Sequence, residues 1–130
     1  MMSMMKAGVA ALLAAASVGQ ALAADPSLEN GEETFKKCRA CHDVGPGAKN
    51  KVGPVLNNLF GRKAGTVEGF SYSDANRKAG ESGWVWDEET MTRYLENPRE
   101  AMPGNRMAFA GLRDEQDRRD LIAYLKTFSK

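Results

Sequence analysis

The chain has 130 residues, with 18 Lys and Arg against 17 Asp and Glu, two cysteines and a single histidine. Charges so evenly balanced give none of the basic excess that nucleic-acid binders carry, and one cysteine pair cannot staple a disulfide-dense secreted scaffold. The length suits one domain with one core and leaves no room for a second.

The chain opens with Lys6 ahead of an apolar, alanine-rich run, "AGVAALLAAASVGQALAA", that ends in Ala21-Leu22-Ala23. This is the pattern of a secretory signal, to be removed after Ala23 or Ala24. The run is short for a membrane span and is broken by Ser17, Gly19 and Gln20. The expected mature domain is therefore 25–130, formally neutral and without a membrane span.

"SLENGEETFKKC" predicts an amphipathic helix capped by Ser27, with Leu28, Gly31, Phe35 and Cys38 on its inner face. Glycines and prolines then break every candidate helix over residues 43–70. Irregular stretches of that length are uncommon in a compact domain unless they serve a function or wrap around something. "SDANRKAG" predicts a short helix capped by Ser73 and stopped by Gly80. "DEETMTRYLENP" predicts a longer one capped by Asp87 and ended before Pro98, with Met91, Tyr94 and Leu95 facing inward. The last element, "DEQDRRDLIAYLKTF", starts at Asp114 and sets Leu121, Tyr124, Leu125 and Phe128 on one side. No segment reads as a strand. The expectation is an all-α domain of three main helices and much loop, whose sparse aliphatic residues need a large apolar cofactor to complete the interior.

"CRACH", residues 38–42, holds both cysteines and the histidine. A closed zinc site needs four protein ligands, and these residues supply three. A redox dithiol usually opens a helix beside a βαβ pattern, whereas this motif closes a helix in a chain without strands. Covalent haem attachment meets neither objection. Cys38 and Cys41 can add to the two vinyl groups of one haem, and His42 then reaches the iron from the same side. No other histidine exists for the second axial position, and Met91, Met102 and Met107 are the thioethers on offer. Met91 faces the core of its helix, while Met102 and Met107 flank "PGNR" in a stretch without helical pattern, and spacing does not choose between them. A His/Met pair leaves no open position for substrate and raises the reduction potential.

The chain resembles the soluble class I cytochromes c, of the mitochondrial type and its bacterial periplasmic "c-two" branch. The matching stretches are "CRACH", "VGPVLNNLFGRKAG", "GFSYSDAN", "WDEETMTRYLENP", "MPGNRMAFAGL" and "DLIAYLKTF", in the family's order. The resemblance implies that loops and helices wrap around one covalently attached haem c and that Met107 is the axial sulfur, with Met102 in an ordinary apolar position. It implies that the Pro54 carbonyl accepts from the His42 ring, and that Gly31 and Phe35 meet Leu121 and Tyr124 where the first and last helices cross. It assigns Arg62, Tyr72, Asn76 and Trp86 to the haem propionates, and Tyr94 to the ligand sulfur. Asn105 and Arg106 depart from the family's threonine and lysine, which puts a propionate bond from that loop in doubt. Trp84 has no counterpart, so Trp86 is taken as the indole that faces the haem.

The function implied is that of a periplasmic one-electron carrier, a monomer and not an enzyme. Its partners would be a quinol–cytochrome c reductase on one side and a cytochrome oxidase or photosynthetic reaction centre on the other. Lys36, Lys37, Lys51, Arg99, Arg106 and Arg113 are the docking set expected around the haem edge, diluted by Glu33, Glu100 and Asp114. A rival reading keeps the haem but gives up the sixth ligand, as a peroxidase-like or gas-binding protein would.

Overall fold

The computed structural model describes residues 8–13 and 25–130. The expected cleavage points at Ala23 and Ala24 lie outside the described residues. Among the described residues five helices follow in order: α1 (Leu28–Phe35), α2 (Asp74–Glu81), α3 (Glu88–Glu96), α4 (Pro98–Ala101) and α5 (Glu115–Lys126). Among the described residues the only β pairing is an isolated bridge between Lys63 and Val85.

α1 starts where expected, with the Ser27 hydroxyl accepting from Asn30 N–H at 3.1 Å. It ends three residues short of Cys38. The chain tightens there into turns, with Cys38 N–H donating to Phe35 O at 2.8 Å and His42 N–H to Cys38 O at 2.8 Å. Helix ends commonly tighten this way, because their last carbonyls lack helical partners. Cys38 thus stands on a turn and not on a helix face. Leu28, expected to face inward, is 52% exposed; Gly31, Thr34 and Phe35 are the buried residues.

Gly31 sets the packing of α1 on α5. A Cβ there would overlap the Asp120 carbonyl and lie 2.6 Å from the Tyr124 Cβ, so the two backbones touch where a side chain would hold them apart. Phe35 packs beside Tyr124 with ring centroids 5.8 Å apart. A buried carboxylate locks the same crossing. Asp120 accepts from Ser27 N–H at 2.8 Å and from Gln116 at 2.8 Å with one oxygen, and from the Asn30 amide at 2.8 Å with the other. Desolvation pushes the Asp120 carboxyl up, but these hydrogen bonds, aided by nearby Arg119, outweigh it and hold the group below the usual carboxylate value.

The stability that Asp120 contributes is therefore present above about pH 4 and lost as pH falls through its depressed folded value. Asp120→Ala should lower the unfolding free energy at pH 7 by about 2 kcal/mol, with the gap to wild type shrinking in acid. Guanidinium titrations of the holoprotein at pH 7 and pH 3 check both parts. A gap that stays constant with pH would show that the carboxylate's charge is not what matters.

α2 is capped by Ser73, whose hydroxyl accepts from Asn76 N–H at 3.1 Å. It does not stop at Gly80 as expected. The helix runs through Gly80 to Glu81, because that glycine serves close packing on the Ala64 carbonyl, which a Cβ would overlap. α3 opens with a reciprocal cap: Thr90 N–H donates to the Asp87 carboxylate at 2.8 Å, and Asp87 N–H to the Thr90 hydroxyl at 2.9 Å. Met91, Tyr94 and Leu95 are buried, as the periodicity predicts.

The single turn α4 was not legible from the pattern. Asn97 caps it by accepting from Glu100 N–H at 3.2 Å, and Pro98 stands at its first position, where a missing N–H costs nothing. α5 begins after Asp114 and buries Arg118, Asp120, Leu121, Ile122 and Leu125. Its buried face is rotated from the expected one, since Tyr124 and Phe128 are only partly covered and pack edge to face, 5.1 Å apart. Arg118 takes interior space because its guanidinium donates to the carbonyls of Leu112 and Arg113 at 2.8 and 2.9 Å.

Candidate haem site

The long loop, the turns after α1, α3, α5 and residues 105–109 enclose a cavity of about 800 Å³. Its apolar lining includes Leu56, Leu59, Phe70, Phe109, Leu121 and Leu125. Cys38, Cys41 and His42 share this cavity with Met107, although more than sixty residues separate them along the chain. Both cysteines are free. Burial, against the lowering effect of Lys37, pushes the Cys38 thiol up to about 11, so it is protonated at neutral pH.

The His42 ring is fixed on two sides. Its Nδ1 lies 2.8 Å from the Pro54 carbonyl. A carbonyl can only accept, so Nδ1 carries the proton and Nε2 is left with a free lone pair. Gly53 packs flat on the ring: a Cβ there would lie 2.8 Å from both ring nitrogens. Desolvation holds the His42 pKa below its ordinary value, the Pro54 bond opposes this, and Arg62 and Lys51 add to it. The imidazole is therefore in its neutral, metal-ligating form at pH 7.

Met107 Sδ lies 4.0 Å from the Tyr94 hydroxyl, which donates toward it. Burial pushes the Tyr94 phenol up to about 12, so the proton to be donated is retained. Met91 is buried as its helix face predicts, and it also touches the cavity. Met102 is 3% exposed, in the core, and is not among the lining residues.

The polar lining has one sign. Lys37, Lys51, Arg62 and Arg106 line the cavity, and no Asp or Glu does among the described residues. The Asn76 side-chain oxygen is buried there without a hydrogen-bond partner. An apolar slot with two free thiols, an oriented imidazole, unneutralised cations and an unpaired amide fits a haem with two anionic propionates.

The rest of the chain agrees with the slot. Residues 28–129 match the family model for cytochrome c. The protein belongs to the cytochrome c family. It is 56% identical over 115 residues to cytochrome c2 of Blastochloris viridis, covering 88% of this chain and 87% of that one. It is 51% identical over 126 residues to cytochrome c2 of Rhodomicrobium vannielii, covering 95% and 97%. The solved structure of cytochrome c2 from Rhodospirillum centenum superposes with a TM-score of 0.75 at 45% identity, over 80% of this chain and 99% of that one. As a cytochrome c the protein holds one covalently attached haem c and transfers electrons; it is not an enzyme.

Within this cytochrome c fold, Pro54, Arg62, Tyr72, Asn76, Trp86 and Tyr94 all line the cavity. Trp84 does not. It packs edge-on against Trp86 at 5.5 Å, under the Arg93 guanidinium at 5.2 Å. Two of the residues assigned to propionates are partly committed elsewhere. Arg62 donates through Nη1 to the carbonyls of Val55 and Asn57 at 3.2 and 3.3 Å, and the Tyr72 hydroxyl accepts from Val67 N–H at 2.9 Å.

The docking set divides as well. Lys37, Lys51 and Arg106 line the cavity, whereas Lys36, Arg99 and Arg113 do not. Lys36 is paired with Glu33 at 2.7 Å, Lys51 donates to the Arg39 carbonyl at 2.7 Å, and Arg106 to the Ser71 carbonyl at 2.9 Å. Sequence reasoning missed Gly53 as a wall of the site; its place in "VGPV", one residue before the predicted acceptor, was the signal available. It also read Asn105 only as a lost propionate donor.

Proposed function

We propose that residues 25–130 form a periplasmic one-electron carrier, with the haem joined through Cys38 and Cys41 and its iron held by His42 and Met107. It would shuttle between a quinol-oxidising membrane complex and a terminal oxidase or photosynthetic reaction centre. The observation that carries this reading is the convergence of both thiols, an imidazole with its Nε2 free and a thioether with its own phenol donor on one slot. The signal-like leader supports export. Among the described residues no helix is long and apolar enough to cross a membrane.

Bound in the slot, the haem supplies an iron that takes up and releases one electron. The protein's part is to keep everything else still. Pro54 and Gly53 fix the His42 ring, so the ligand need not reorient between oxidation states. The Tyr94 hydroxyl fixes the sulfur side. Leu59, Leu121 and Leu125, each nearly fully buried, exclude water and disfavour the extra positive charge of the ferric form. Arg62, Tyr72, Asn76 and Trp86, which line the slot, would receive the propionates.

Lys37, Lys51 and Val52, the last 78% exposed, all line the slot. An exposed apolar residue on the same slot as two cations suits brief, charge-steered docking. Reduced protein mixed with membranes of the source cell in a stopped-flow instrument should be oxidised rapidly, and the rate should fall at least about threefold as salt rises to physiological ionic strength. Absence of oxidation, with a working membrane preparation, would overturn the carrier reading. A rate indifferent to salt would overturn the steering.

A further inference from the structure

Asn105 follows Gly104, whose φ of 87° turns the chain, and precedes the two residues that lead to the Met107 sulfur. Its side chain makes three hydrogen bonds, all to backbone. The amide nitrogen donates to Pro98 O at 2.8 Å and to Met102 O at 2.9 Å, and the amide oxygen accepts from Met107 N–H at 2.9 Å. Pro98 opens α4 and Met102 caps its end. One planar group therefore ties both ends of a single helical turn to the peptide of the residue that enters the slot. Among the described residues nothing else accepts from Met107 N–H.

We infer that Asn105 is the positioning residue of the sulfur ligand, holding the Met107 peptide against α4 and so setting how readily the loop opens and the thioether leaves the iron. This rests on Met107 being the axial ligand. The chemistry is particular to an amide, which offers two donors and an acceptor in one plane. Threonine, which the family resemblance leads one to expect here, has a single hydroxyl proton and can satisfy only one of the two carbonyls. Beyond the Asn105 N–H, which donates to Met102 O at 3.2 Å, and the Tyr94 hydroxyl directed at the sulfur, the loop has little else to hold it. Arg106 reaches the Ser71 carbonyl at 2.9 Å through an exposed side chain, and the next backbone tie to α3 is Leu112 N–H to Leu95 O at 2.6 Å, five residues beyond Met107.

Opening is read by an outside ligand, because imidazole can take the iron only when the thioether has left, and its apparent affinity scales with the open fraction. In the ferric holoprotein, Asn105→Ala and Asn105→Asp should each bind imidazole about tenfold tighter or more, with Asn105→Thr in between. The aspartate variant adds a signature that mere loss of packing would not produce. Its carboxylate keeps an acceptor for Met107 N–H but faces two carbonyls with no proton, so its iron–thioether absorption band should strengthen as pH falls from 7 toward about 4. Wild type should show no such gain.

A measurement on the unaltered holoprotein covers the case in which the variants do not fold. The Met107 amide should exchange with deuterium at least about 100-fold more slowly than those of Arg106 and Ala108, neither of which has an acceptor here. Imidazole affinities within twofold of wild type, or a Met107 amide exchanging as fast as its neighbours, would overturn the assignment of Asn105. Absence of the thioether band from wild type itself would instead overturn the ligand reading beneath it.

Discussion

Met107→Ala is expected to abolish the absorption band at the red end of the visible spectrum that reports iron–thioether ligation, and to let the ferrous protein bind carbon monoxide without denaturation. Met102→Ala is expected to keep the band and resist carbon monoxide while losing about 3 kcal/mol of unfolding free energy. The two methionines flank one short loop, so the contrast tests place and not chemistry. Met107 is partly exposed, lines the slot and has the Tyr94 hydroxyl 4.0 Å from its sulfur. Met102 is sealed in the core with Leu95 and Leu112 around the end of α4. Truncating it leaves a cavity that the surrounding helices cannot fully close, which is why its cost falls on stability. If the band survived Met107→Ala and vanished with Met102→Ala, the ligand assignment would be wrong at that residue. If wild type bound carbon monoxide freely at neutral pH, the peroxidase-like or gas-binding alternative would displace the carrier.

What could be seen in advance was what short stretches of chain decide by themselves. "CRACH" names its cofactor because attachment and ligation need those three side chains within five positions. α3 is legible because its cap, its inward stripe and its stop at Pro98 all lie within twelve residues. Failures occur where a residue answers to a distant partner. Gly80 looked like a helix stop, but it meets Ala64 across the fold. Arg118 and Asp120 lie outside the stripe expected to face inward on α5, yet both are buried: one binds the loop carbonyls at 112 and 113 and the other the start of α1. Cys38 lies one turn beyond the end of α1, where the chain tightens into turns after Phe35.

The same distinction explains the site. The residues that line its slot were recoverable because the resemblance fixes them in order along the chain. The groups that hold those residues still were not, for a glycine or an asparagine carries no mark of the ring or peptide it will meet. Gly53 pressed on His42 and Asn105 clamped to Met107 supply the same service on the two proposed ligands. The dilution of the basic rim was partly visible in Glu33, but its pairing with Lys36 depends on geometry.

Gly53→Ala is expected to damage the histidine side of the site more than any other single-methyl change. The backbone at Gly53 is not in the left-handed region, so alanine meets no conformational penalty there, and the whole effect is steric. The added carbon would sit 2.8 Å from Nδ1 and from Nε2 of His42, well inside contact distance. Neither neighbour can yield cheaply. Gly53 N–H is bonded to the Cys41 carbonyl at 2.8 Å, and the ring is held by Pro54 O at 2.8 Å and, at its backbone, by Cys38 O. Relief therefore means tilting the imidazole off its acceptor, which spoils both its tautomer and its aim. Overpacking of this kind costs about 1–3 kcal/mol in an ordinary core, and here it falls on the proposed iron ligand. The yield of coloured protein from cells with working maturation machinery should drop at least about tenfold, and what matures should have a weakened low-spin spectrum. Pro54→Ala is the control, since it keeps the carbonyl that orients the ring and should mature nearly as wild type does. Equal yields and spectra for Gly53→Ala and Pro54→Ala would mean that the ring has room to move and that Gly53 is not a wall of the site.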